Sequence, residues 1–392
     1  MTAFAITRLV LTDFRNYAHL KIETDERPVV LTGQNGSGKT NLLEAISFLT
    51  PGRGLRRARL AEVTNINGAG GWAAAATVRS VEGENRLGTG LVKLPQLAEN
   101  KETADRRSVK IDGRGRSGSA ALSDYIKVSW LTPQMDRIFQ EGPGGRRRFL
   151  DRLVFGFDVA HGKRTATFEK VMRDRNRLLK EGGQDRHWLG SLEHTLAEVG
   201  TAIAAARQEC VARLNAAMTD ATAGMGGRPE ADVFPKAILS AHGLLEDWLL
   251  EMPALAAEDL YREKLAASRR LDAAAGSTTA GPHRSDLGVR HKAKNLPAAR
   301  CSTGEQKALL ISIILGDARL QAGLQGQAPI LLLDEITAHL DQKRRTALFD
   351  EIERMKTQAW MTGTDYALFS DLGERAQFLT VENGAIITTA VG

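Results

Sequence analysis

Gly33-Gln34-Asn35-Gly36-Ser37-Gly38-Lys39-Thr40 satisfies G-x-x-x-x-G-K-[ST] at every fixed position, and it constrains the fold more than any other part of the chain. The glycines let backbone N–H groups wrap a phosphate, the lysine neutralises its charge, and the threonine hydroxyl is placed for Mg2+. Such a loop works only between a strand and a helix. Pro28–Thr32 supplies the β-branched run before it, and Leu42, Leu43, Ile46 and Leu49 recur at helical spacing after it. The pattern predicts strand, phosphate loop and helix in that order, with Asn41 beside the loop and the helix N-terminus facing the anion.

A second element completes the chemistry. Ile330-Leu331-Leu332-Leu333-Asp334-Glu335 reads as a central parallel strand carrying an acidic pair at its tip. Asp334 is placed to hold the Mg2+ shell and Glu335 to polarise water. Alone, the run would equally be a buried strand ending in a solvated turn; with the glycine loop upstream, the catalytic reading prevails. Ser302-Thr303-Gly304-Glu305-Gln306 resembles the signature motif of ABC-type ATPases, which binds the nucleotide held by the opposite subunit. It also reads as a helix capping box, Ser302 with Glu305 three residues on. Asp341 resembles the D-loop aspartate, and Gln134 the Q-loop glutamine that senses metal and water. A transporter ATPase would carry a switch histidine after its last core strand. Here Met361 leads into Thr362-Gly363-Thr364, so a switch contact falls to Thr362, Thr364 or the backbone, and His339 reads as a surface residue.

The length of 392 residues suggests two structural units. The pattern divides the chain into an N-terminal head part (1–140), a mostly helical lobe (141–275) and a C-terminal head part (276–392). The expected fold class is therefore α/β, an ABC/SMC-type P-loop head with an inserted, mostly helical lobe. Within the lobe, Leu192, Leu196, Val199, Ile203, Ala206 and Cys210 step by four and three residues, the spacing of a coiled-coil seam or of a bundle stripe. A short antiparallel arm is the favoured expectation. Gly224–Gly227 reads as a loop. The net charge of +6 favours a polyanionic partner such as nucleic acid or an anionic membrane surface, although many basic soluble enzymes have neither. Two cysteines without a C-x-x-C argue against a disulfide framework and fit a reducing cytoplasm. No stretch reads as a signal peptide or a bilayer span, so no membrane association is expected.

Several runs, in order along essentially the whole chain, resemble the RecF family: Phe14-Arg15-Asn16-Tyr17 in the opening strand, Arg53, Arg56 and Arg59 beyond the phosphate-loop helix, Pro143 with Arg146-Arg147-Arg148-Phe149-Leu150-Asp151, and Gly281-Pro282-His283-Arg284-Ser285-Asp286-Leu287. The resemblance implies an ATPase that dimerises with ATP on DNA at gaps or single-/double-strand junctions and works with RecR and RecO to load RecA. It also implies that Arg15 and Asn16 join the ATP site. Two positions depart from the family pattern: Gln134, where an acid is common, and Ser285, in place of an acid. Arg53, Arg56, Arg57, Arg59, Arg146 and Arg284 are the DNA-contact candidates, each equally a solvated or structural arginine. Among the rivals, a long-armed SMC tether is disfavoured by the short insertion and the absent cysteine hook. A transporter subunit is disfavoured by the missing switch histidine. An SMC-like ATP-gated DNA clamp with incidental hydrolysis remains open.

Overall fold

The computed structural model describes residues 4–91, 107–182, 185–220 and 233–387. The sequence-read loop Gly224–Gly227 lies outside them. Contacts divide the chain into two compact units, 1–135 with 318–392, and 136–317.

The first unit contains two sheets. One is antiparallel. It is built from β1 (Ala5–Phe14), β2 (Tyr17–Glu23), β4 (Trp72–Ser80), β5 (Gly83–Leu91), β6 (Arg107–Ile111) and β7 (Arg114–Arg116), in the order β2-β1-β4-β5-β6-β7. Its strands alternate buried and exposed residues, as a one-faced sheet requires. The other sheet contains β3 (Val29–Thr32), β8 (Val128–Leu131), β12 (Ile330–Leu333), β13 (Ala359–Thr362), β14 (Gln377–Glu382) and β15 (Ala385–Ile387), in the order β15-β14-β3-β13-β12-β8. All its pairings are parallel except the β14–β15 edge. β3, β12 and β13 are buried at every position, the signature of strands covered on both faces. Helix α1 (Lys39–Ser47) packs in the core that both sheets share, where Phe14, Phe48 and Trp72 meet edge-on or tilted at 5.1–6.1 Å between ring centroids. Helix α9 (Gln342–Arg354) precedes β13 and carries Phe349, which stacks on Phe369.

The second unit is mostly helical: α2 (Pro143–Phe155), α3 (His161–Lys180), α4 (Arg186–Asp220), α5 (Leu244–Glu251), α6 (Ala254–Ala267) and α7 (Arg269–Ala275), with a small sheet of β9 (Ala237–His242), β10 (Asp286–His291) and β11 (Leu296–Pro297). Helix α8 (Thr303–Gln325) begins in this unit and ends in the first. α3 and α4 pack on each other, as a short arm would, but α4 also packs on α5, α6 and β9. The sequence-favoured arm is thus a bundle around Phe168, Leu196, Ile203, Tyr261 and Leu265. The boundary also moves. Residues 276–317, expected with the head, belong to the helical unit, because β10 pairs along its whole length with β9 and because Arg146, Arg147 and Arg207 bind Asp286, Ser285 and Pro282.

Charge is buried inside the bundle. Arg175 is fully enclosed and donates to Glu193 (3.1 Å), Asp272 (2.7 Å), Thr278 Oγ1 (2.9 Å) and the Leu265 carbonyl (2.7 Å). Burial pushes the Asp272 carboxyl up, but hydrogen bonds from Thr279, Arg175 and Ser268 outweigh it and hold the group below its ordinary range. Arg175→Ala leaves Glu193 and Asp272 without their shared cation, and breaking such a buried pair costs about 3–5 kcal/mol. The expected result is a lower denaturation midpoint for the full chain; an unshifted midpoint would refute the structural role of this arginine.

Candidate nucleotide site

Three chain segments far apart in sequence meet at the carboxyl edge of the parallel sheet. β3 feeds the glycine loop, β12 ends at Asp334, and β13, which lies between them, ends at Thr362. The Thr40 hydroxyl donates to both Asp334 oxygens at 2.9 and 3.1 Å. Thr362 Oγ1 donates to Asp334 Oδ1 at 2.7 Å and accepts from the Glu335 backbone N–H at 2.8 Å. Lys39 is buried, and its Nζ donates to the carbonyls of Gly33 (2.7 Å) and Gln34 (2.8 Å). Burial lowers the Lys39 pKa, while Glu335 and Asp334 pull it back up. Glu335 sits at a left-handed φ of 48°, a conformation that turns the chain sharply off the strand tip.

The glycine loop is held from behind. Gly33 has φ +137°, and a Cβ there would stand 2.2 Å from the Val381 carbonyl oxygen. Gly38 has φ +119°, and its Cβ would lie 2.6 Å from both Asn16 Nδ2 and Tyr17 Oη. Those two side chains donate to Ser37 O (3.0 Å) and Gly38 O (3.0 Å), and Asn41 Nδ2 donates to Asn16 Oδ1 at 2.7 Å. Burial raises the Tyr17 hydroxyl well above its ordinary pKa, so it stays a donor. Ser37 Oγ is buried without a hydrogen-bond partner in the structure, and Gln34, Asn35 and Gly36 are exposed. A cradle with an unsatisfied hydroxyl, a buried ammonium and a helix N-terminus has the donor set that a polyphosphate requires. The Thr40–Asp334 pair fits the hydroxyl-plus-carboxylate environment of Mg2+.

The other sequence-predicted residues divide. Gln134 is exposed in the turn after β8, whose Leu131 accepts a hydrogen bond from the Asp334 N–H, so it stands off a strand adjoining the acidic tip. Thr364 is exposed, and among the described residues only Thr362 of the two threonines bonds the acidic pair. Asp341 caps α9 by accepting from the Arg344 N–H at 2.8 Å, and His339 is exposed, as read. Ser302 forms the expected capping box. Its N–H and Oγ both donate to Glu305 Oε2 at 3.0 Å, and Lys294 also bonds Glu305. These contacts, Lys294 first, hold the Glu305 carboxyl at about 2. Thr303 is exposed, Gly304 half-buried, and Gln306 buried with its amide on the Cys301 carbonyl at 2.8 Å.

Several of the arginines expected at nucleotide or DNA are engaged by the protein itself. Arg15, expected at the nucleotide, clamps buried Glu44 bidentately at 2.9 Å and bonds the Glu62 carbonyl at 2.7 Å. Arg56 shares the same carboxylate at 3.2 Å and bonds Asn41 Oδ1 at 2.7 Å. Arg146, a DNA candidate, is committed to Asp286 (2.7 and 2.9 Å) and to the carbonyls of Ile138 and Glu141. Arg53, Arg57, Arg59 and Arg284 are exposed, and so is Arg148, while Phe149 and Leu150 are core. Glu44 is the site residue that sequence reasoning missed; its one signal was a lone acid among the apolar positions of α1.

The strand order, the glycine loop and the acidic tip together define an ATPase head of the SMC/ABC type. The model of the RecF/RecN/SMC N-terminal domain matches residues 5–386. Two DNA replication and repair proteins RecF are close in sequence. That of Rhizobium rhizogenes is 50% identical over 381 residues, 97% of this chain and 98% of its own length. That of Allorhizobium ampelinum is 51% identical over 379 residues, 97% of each. A solved structure of the recombination mediator protein RecF-ATP in the RecFOR pathway superposes with a TM-score of 0.81 at 22% identity, covering 99% of this chain and 98% of that one. The Pyrococcus furiosus Smc head bound to the C-terminal domain of ScpA superposes at 0.53 and 16% identity, covering 99% and 97%. The chain belongs to the RecF family of DNA replication and repair proteins, within the RecF/RecN/SMC group of ATPases.

Thr362→Val removes the hydroxyl that Asp334 and the Glu335 N–H share, at nearly constant volume. Leaving those buried groups a partner short costs about 1–3 kcal/mol. The fall should appear in the thermal midpoint and be largely recovered by Thr362→Ser; a valine variant as stable as the parent would show that the hydroxyl holds nothing.

Proposed function

We propose that the protein is an ATP-dependent DNA-binding protein of recombinational repair and replication restart. It dimerises with ATP on gapped duplex or single-/double-strand junctions, works with RecR and RecO, and helps load RecA. The reading extends to a weak, DNA-stimulated ATPase acting in the cytoplasm. The observation that carries it is the cluster of Lys39, Thr40, Asp334, Glu335 and Thr362 at one sheet edge. Support comes from the family and from the RecF structure described with ATP.

In this mechanism the loop N–H groups, Ser37 Oγ and Lys39 Nζ bind the phosphates, and Thr40 and Asp334 hold Mg2+. Bound Mg2+ neutralises phosphate charge. The Glu335 carboxylate orients a water and accepts its proton. Thr362 keeps Asp334 and the Glu335 backbone in register, and Gln134, in the turn after the neighbouring β8, senses metal and water. Sedimentation with ATP and gapped duplex tests dimerisation and DNA binding together. Glu335→Gln should slow ATP turnover by roughly 10²–10⁴-fold and lengthen the life of the ATP-bound dimer on DNA. Unchanged turnover would move the base elsewhere.

Ser302 is assigned in trans, to ATP held by a second copy, since the chain carries one glycine loop and one signature-like run before a helix. A two-fold dimer then closes two composite sites. Ser302→Arg should preserve ATP binding by the single chain but block dimerisation and hydrolysis. Mixing it with Lys39→Ala protein should rebuild at most one site per dimer, read as partial recovery of ATPase activity. A purely capping Ser302 would instead cost about 1 kcal/mol of stability, and the Ser302→Arg dimer would still form with ATP.

A further inference from the structure

The exposed face of the antiparallel sheet carries a shallow trough of about 330 Å³, away from the glycine loop in sequence and built only from the first unit. Its lining includes Arg8, Arg86 and Lys110 with Val10, Ala75, Thr77 and Gly88 between them, and neither a carboxylate nor an aromatic ring among the lining residues. The ladder explains the arrangement. Arg8, Thr77 and Arg86 lie opposite one another on β1, β4 and β5, and the next row on the same face runs Val10, Ala75, Gly88, Lys110. Strand spacing places the Arg8 and Arg86 backbones roughly 10 Å apart, with Lys110 one strand further and one row on. All three cations are exposed, and none forms an ion pair among the described residues. Two carboxylates feel them but are otherwise engaged. Glu23 pairs with Lys21 at 2.7 Å, and Asp112 accepts from the Arg86 N–H (2.7 Å) and Asn85 Nδ2 (3.1 Å).

We propose that this trough binds the phosphate backbone of duplex DNA. The inference rests on the DNA-binding reading and places one contact surface for it. Three cations without an ion pair among the described residues, in two adjacent rows, attract a polyanion, and no side chain between them is larger than Val10. The lack of aromatic rings removes the stacking platform that single-stranded binding uses, so the contact is to duplex phosphates and independent of sequence.

The test uses the full chain with ATP and a blunt duplex, measuring affinity from low to high salt. Arg8→Gln, Arg86→Gln and Lys110→Gln together should weaken binding and reduce the slope of log affinity against log salt by roughly 0.9 per contact, about 2.7 in all. Arg8→Lys, Arg86→Lys and Lys110→Arg together should keep the slope, and ATP turnover without DNA should be unchanged in both. If the parent binds duplex and the glutamine variant keeps its slope, the trough is not a DNA surface although DNA binding stands. If the parent binds no DNA under any salt, the DNA-binding reading fails first and the trough with it. If the variant loses polyglutamate binding but not duplex binding, the surface belongs to an acidic protein and the proposal is overturned.

Discussion

The Asp334 carboxylate is the junction on which the head depends. It is 5% exposed, and two hydroxyls end on it, one from the first turn of α1 and one from the end of β13. Hydrogen bonds to a charged acceptor contribute about 1.5–3 kcal/mol each, and losing one leaves a buried charge under-satisfied. Thr40, Asp334 and Thr362 therefore fix the relative height of the glycine loop and of β12 and β13. The opposite end of the sheet is pinned by side-chain amides, Gln377 accepting from the Asp25 N–H and donating to the Arg27 carbonyl. Gln358 accepts from the Ile6 N–H and donates to the carbonyls of Ile6 and Asp25, which ties the parallel sheet to the antiparallel one. Between these polar pins β3, β12 and β13 are almost wholly apolar, and their register rests on the backbone ladder.

The glycine loop gains its shape from residues outside the motif. Its conformation needs carbonyls that point backwards, and Tyr17 and Asn16 satisfy two of them from β2 and the turn before it. Asn16 is in turn held by Asn41, and Asn41 by Arg56. Glu44, fully buried on α1, anchors Arg56 and Arg15 together, so the first helix and both flanking segments share one carboxylate. Glu44 is enclosed, but both guanidinium groups that meet it are partly exposed, so the excess positive charge is solvated. The phosphate cradle is thus preorganised by side chains whose own atoms need not touch a ligand.

What was legible in the sequence follows from how local the physics is. Gly33–Thr40 and Ile330–Glu335 each carry their chemistry in consecutive residues, and both stand where the pattern placed them. The capping box at Ser302 was equally visible, because Glu305 lies one turn away. The partner of Arg146 was not legible, because nothing near it announces Asp286, 140 positions downstream. The α4 seam was misread for a related reason. Its buried face includes Glu193 and Arg207, which a hydrophobic count leaves out, and their partners come from α2, α3, α5 and α7. The unit boundary shifted with them, since β10 takes its partner strand from before the α5–α7 helices rather than from the head.

The same buried network accounts for Ser285, the departure from the family's acidic position. Arg207 lies between Asp151 (2.8 and 3.0 Å) and Glu246 (3.1 Å) and also bonds the Pro282 carbonyl at 2.7 Å. Burial favours the neutral forms, but Asp151 and Glu246 keep Arg207 raised in pKa, and the His161 hydrogen bond together with Arg207 keeps Asp151 lowered. Ser285 donates to the second Glu246 oxygen at 2.7 Å, within the same enclosed space. A carboxylate at position 285 would meet Glu246 where a donor is needed, and like charges that close oppose ionisation of both. Gly243 lets the backbone pass close by, since a Cβ there would be 2.5 Å from Ser285 Oγ and Glu246 Oε2. With Glu246 in place, serine is the residue that satisfies the geometry, and the Gly281–Arg284 turn is fixed from beneath by a neutral donor, leaving Arg284 exposed above it.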